Sequence, residues 1–165
     1  MSEIDLDFRP SVPVFDANLA LGRRHTRRVK VDTVEDTLDA MTKAGVDRAV
    51  AFSPHATTTD SGEGNQILYD ATQNVSELVP QFACNPSSDD LGQFAAQIAE
   101  LGVRSVRMTP MIQQFPFQDW IVKPWLDWLT SERIPLWLPA SAESIKGREE
   151  TDPSDLFNPL EHHPD

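Results

Sequence analysis

Residues 32–54 read DTVEDTLDAMTKAGVDRAVAFSP, and this stretch decides the fold class. Val34, Leu38 and Met41 recur at helical spacing and Gly45 follows them, which predicts an amphipathic helix. Asp32 is the expected N-cap, Glu35 three residues on would complete a capping box, and Gly45 is the expected C-cap. RAVAFS (48–53) comes next, strand-length and apolar. A helix handing over to a buried strand within three residues is the second half of a βαβ unit.

The same alternation extends in both directions. VPVFD (12–16), LVPQFAC (78–84), VRSVRM (103–108) and IPLWLP (134–139) are further strand-length runs rich in Val, Phe or Leu. Ile67, Leu68, Ala71 and Val75 mark a second helix, for which GEGN (62–65) reads as the start. Leu91, Phe94, Ala95 and Ile98 mark a third, opened by SSDD (87–90) and closed by Gly102. A fourth is expected to start near Pro124 and to bury Trp125, Leu126, Trp128 and Leu129. TDPSDLFNPLEHHPD (151–165) begins as a helix with Asp152 as cap and Pro153 at its first position, and Pro159 should break or shorten it. Strands alternating with helices of this size imply an α/β fold of right-handed, parallel (β/α) units, either an open doubly wound sheet or a barrel. No G-x-G-x-x-G or G-x-x-x-x-G-K-[ST] follows any strand, which removes the main reason to choose a nucleotide-binding open sheet. Residues 1–11 read as an N-terminal tail and 12–165 as a single domain.

At 165 residues the chain suits one domain with a real core, and no apolar run approaches the roughly 20 residues of a membrane span. The acidic start, MSEIDLDFRP, lacks the features of a secretory signal, and the single cysteine, Cys84, cannot form an internal disulfide, so the expected compartment is the cytoplasm. With 14 cations against 26 acids the net charge is −12, which argues against nucleic acid and anionic lipid as partners. The spread of acids and the scarcity of lysine also suit a high-salt cytoplasm.

Several fragments together resemble the amidohydrolase-related family, the (β/α)₈-barrel metal-dependent hydrolases and decarboxylases. VFDANLALG (14–22) looks like its first strand, residues 32–54 like its first helix and second strand, and NQILYDATQNVSELVPQFACNP (65–86) like its second helix and third strand. IAELGVRSVRMTP (98–110) looks like the unit ending in strand four, and ERIPLWLP (132–139) like the approach to strand five. The resemblance implies a partial TIM-like barrel of about five of the eight units, with LEHHPD (160–165) leading towards a sixth strand and further units encoded beyond residue 165. It also implies hydrolysis or non-oxidative decarboxylation of a small carboxylate-, amide- or ester-bearing substrate, with a divalent metal such as zinc held by His-x-His after strand one and by residues of later strands. In those first two places stand Asn18 and Ala20, and LPASAES (138–144) brings no histidine. Zinc sites need imidazole, thiolate or carboxylate donors. No cofactor is therefore expected in this chain, and a metal-free relative that binds a small anion or a partner is the alternative to an enzyme. A five-stranded unclosed sheet also predicts self-association.

Functional groups of (β/α) folds gather at the C-terminal ends of the strands. Asp16, Asn18, Asn85, Arg107 and Thr109 are expected there. Asp16 and Arg107 are the candidate catalytic pair, a base and an anion clamp, against the plainer reading that they tie the first loop structurally. Asn18, Asn85 and Thr109 are candidate substrate-binding residues. Arg23, Arg24 and His25 join them from GRRHTRRVK (22–30), which holds five of the chain's cations and is either a site for a small anionic molecule or a solvated loop. His25 and His55 are expected in polar loops, His162 and His163 exposed, and Trp125, Trp128 and Trp137 in the core.

Overall fold

The computed structural model describes residues 10–24, 29–139, 141–144, 147–150 and 153–163. In chain order, β1 (Phe15–Ala20) leads to α1 (Val34–Ala44), β2 (Arg48–Phe52), the short α2 (Pro54–Thr58) and α3 (Ser61–Thr72). Then come β3 (Leu78–Pro80), β4 (Phe82–Cys84), α4 (Leu91–Leu101), β5 (Val106–Met108), the single turn α5 (Pro110–Gln113) and α6 (Asp119–Glu132). β6 (Leu136–Trp137), a hairpin of β7 (Ser141–Ser144) and β8 (Gly147–Glu150), and α7 (Pro153–Glu161) follow.

β1, β2 and β3 form one parallel ladder, and β4, β5 and β6 a second. The two halves are one wall, because the predicted strand 78–84 is continuous through Gln81. Its first half pairs with β2, and at Gln81 the amide still donates to Ala51 O at 2.9 Å or less, namely 2.8 Å, while Phe82 already donates to Ser105 O. Beyond that point β4 leaves β2, so the wall curves. Asn65 of α3 fills the vacated side: its Nδ2 donates to Ala83 O at 2.7 Å and its Oδ1 accepts from Ala83 N at 2.9 Å, the two bonds a neighbouring strand would make. Curvature is equally plain from the Arg107–Asn18 hydrogen bond of 2.6 Å, which joins side chains of β5 and β1 across two intervening strands.

Alternation along the strands sorts the two faces. Ala49, Ala51, Phe82, Cys84, Val106 and Met108 are buried against the helices, with Met41, Leu68, Phe94, Ile98, Val122, Trp125 and Leu129 opposite them. Phe94 meets Trp125 and Trp128 edge to face, with ring centroids 5.3 and 6.0 Å apart, and this cluster locks α4 to α6. The inner, concave face carries Arg107 with its register partners Ala83 and Trp137.

Several expectations need correction. The first strand lies at 15–20, not 12–16: Pro13 has no N–H to donate, whereas Leu19 and Ala20 pair with Ala51 and Phe52. Asn18 and Ala20 are therefore inside the strand. The α1 cap is Thr33 rather than Asp32; Thr33 Oγ1 accepts from Asp36 N, one residue later in register than the predicted pair. α6 begins at Asp119, a turn before Pro124, whose ring sits on the exposed face where the carbonyl it leaves unpaired can reach water. α7 runs past Pro159, which is buried, so neither proline ends a helix here. His55 lies in α2, not in a loop, and His163 is mostly buried against α6, with Nε2 3.6 Å from Asp127 Oδ1.

Candidate functional site

The first strand carries a bulge. Asp16 pairs with Ala49 and Leu19 with Ala51, so three steps on β1 match two on β2. Asp16 Oδ1 accepts from Asn18 N at 2.8 Å and fixes the bulge, which turns the Asn18 amide towards the concave face. There Asn18 Oδ1 accepts from Arg107 Nη2, and Gln81 Oε1 accepts from Arg107 Nε at 2.8 Å. Gln81 Nε2 in turn donates to Ser105 Oγ. The Phe52 ring lies under the guanidinium, 3.8 Å from its Cζ, and the Trp137 ring centroid is 5.4 Å away.

Arg107 is only 3% exposed, yet its two hydrogen-bond partners are neutral amides. No carboxylate among the described residues pairs with it. Two of the five guanidinium N–H donors are engaged by described residues. Burial pushes its pKa down to about 10, so at pH 7 it remains a cation, held without a counter-charge among the described residues. Beside it, the Trp137 indole Nε1 is buried with no hydrogen-bond partner.

The other predicted residues do not converge on this point. Asp16 reaches it only through Asn18. Asn85 is in the loop after β4, where its N–H donates to Asp89 Oδ2 and its Oδ1 accepts from Ser87. It lines a polar cavity of about 210 Å³ together with Thr58, Asp60, Asp89 and Gln113. Thr109 caps α5, its hydroxyl and amide both donating to Gln113 Oε1. Arg23 is 92% exposed and pairs with Asp32 at 3.3 Å, Arg24 is half-buried, and His25 lies outside the described residues. His55 faces Glu63 at 3.1 Å. Cys84 is fully buried and its thiol is pushed up by burial, which suits a core residue. Sequence reasoning missed Gln81, Phe52 and Trp137 as neighbours of Arg107; Gln81, a polar residue in the middle of an apolar strand, was the available signal.

A divalent metal does not fit the His-x-His places. Asn18 Oδ1 is committed to a cation, the guanidinium, and Ala20 has no donor atom. Among the described residues no three His, Cys, Asp or Glu side chains converge as a ligand set. No helix among them is long and apolar enough to cross a membrane.

No known protein family matches the sequence, and no curated protein does. Among solved structures the chain is similar to an uncharacterised TIM-barrel protein from Bordetella bronchiseptica, with a TM-score of 0.68 and 15% identity. The match covers 93% of this chain and 64% of that one, so the chain spans a little under two thirds of the barrel it resembles. At that identity the likeness speaks for the fold alone, and the fold is that of a TIM-type (β/α) wall, with parallel strands and helices outside.

Proposed function

We propose that the chain binds a small carboxylate-bearing molecule on the concave face of the wall, with Arg107 as its anchor and without a catalytic metal. The observation that carries this reading is the buried guanidinium that has no carboxylate partner among the described residues. Its lowered pKa corresponds to a cost on the order of 3 kcal/mol at pH 7. An anionic ligand would recover much of that. Asn18 is solvent-exposed, so the guanidinium lies one side chain below the surface, and a ligand carboxylate would supply the charge-assisted acceptor that the two neutral amides do not. Amidohydrolase-type hydrolysis or decarboxylation is the other reading, resting on the order of strands and helices. In that reading Asp16 would be the base, although its carboxylate is occupied by the Asn18 amide.

Thermal melts with acetate, malonate, succinate and benzoate test the site. At a concentration 100 times Kd, one bound anion adds about 2.7 kcal/mol, several degrees in Tm for a chain of this size. Arg107→Met should abolish the shift. If no carboxylate shifts the wild-type melt, the anion site is wrong. Elemental analysis after dialysis separates the two readings, since one tightly held transition metal per chain would restore the hydrolase.

A further inference from the structure

We infer that the Trp137 indole is the second anchor for that ligand, so that one carboxylate bridges Arg107 and Trp137 Nε1. This rests on the anion site proposed above and assigns it a further residue. Arg107 and Trp137 are register partners on β5 and β6, so their side chains leave the sheet on the same face. The guanidinium Cζ is 5.4 Å from the indole centroid. Side chains this close lie within reach of one carboxylate, whose two oxygens each accept a hydrogen bond at about 2.8 Å. Each side chain brings donors for which the described residues provide no acceptor. The indole N–H is a donor only, is buried, and has no acceptor; the guanidinium retains N–H groups beyond those given to Gln81 and Asn18. Buried donors without acceptors are rare because folding carries their full desolvation cost, and two of them on neighbouring strands call for the same acceptor. Phe52 at 3.8 Å packs on the guanidinium, and Trp137 lies further from it. Such a site selects a carboxylate with both oxygens free, and disfavours an ester or primary amide of the same acid, because each of these lacks the charge and one acceptor oxygen.

The full chain, labelled with ¹⁵N, has four tryptophan indole resonances, and Trp137→Phe identifies the one that matters while keeping an aromatic ring beside Arg107. Titration with succinate should move the Trp137 resonance downfield and saturate at the Kd obtained from the melts. Trp137→Phe should weaken succinate about tenfold, the loss of one hydrogen bond to a charged acceptor, with its ligand-free melt showing that it folds. An unmoved Trp137 resonance and an unchanged succinate affinity in Trp137→Phe, alongside an intact wild-type melting shift, would overturn the second anchor and leave Arg107 standing. Binding that survives Arg107→Met would overturn the anion site and the bridge together.

Discussion

At the residue scale, Arg107 holds β5, β1 and the Gln81 break together, and its neighbours are worth more to the fold than its charge. Replacing Gln81 by Leu would leave Arg107 Nε buried and unpaired and should cost about 2–3 kcal/mol in denaturant unfolding. Arg107→Met should cost less than that, because losing the desolvated cation offsets the loss of two hydrogen bonds and of the donor to the buried Gln81 Oε1. In the Arg107→Met background, Gln81→Leu should then be much milder, a coupling readable from a double-mutant cycle. The pH dependence has a definite sign. Burial lowers the Arg107 pKa to about 10 in the folded chain, below its ordinary value, so above pH 10 the unfolded state binds more protons and the penalty, complete below that pH, is relieved as pH rises through the folded value. The stability difference between wild type and Arg107→Met should therefore shift in favour of wild type from pH 10 upwards, as measured by urea unfolding at each pH.

At the element scale, the start of α3 is where the wall is made to curve. Gly64 has no unusual φ; it is needed for space, since a Cβ there would lie 2.2 Å from Ala56 N of α2. That close approach brings Asn65 into β4. Gly64→Ala should cost about 3 kcal/mol by overpacking, and Asn65→Leu a similar or larger amount because it strips partners from a buried N–H and a buried C=O. If Asn65→Leu unfolds at the wild-type urea concentration, the side chain is not standing in for a strand. The helices were legible because their apolar spacing and caps are local: Asp90 and Gly102 bound α4 as the sequence indicates. Their prolines were not, since Pro124 lies exposed within α6 and Pro159 buried within α7, and apolar spacing does not say whether a helix continues past a proline.

At the scale of the whole molecule, β1 and β6 are each paired on one side only among the described residues. Phe15 on β1 is 52% exposed and Val12 just before it 66% exposed. Open edges beside apolar surface favour pairing between copies. We expect the purified chain to elute earlier in size-exclusion chromatography as its concentration rises, and Phe15→Lys to suppress this. A single concentration-independent monomer peak would show that the edges are shielded. The high net negative charge works against association, so added salt should strengthen it.

The sequence by itself determined the alternation of strand and helix, the parallel order and the apolar faces, because these depend on spacing and on the chemistry of single residues. It also showed that the two histidine places of the resembled family hold Asn18 and Ala20. Only the tertiary structure decided that Asn18 serves Arg107, that Asp16 acts on its own strand's bulge and not on the guanidinium, that Asn85 lines a different cavity, and that Thr109 is engaged by Gln113. The reason is the curvature of the wall. Side chains 89 positions apart meet at 2.6 Å because one strand changes partners at Gln81, and no local pattern encodes where such a chord falls.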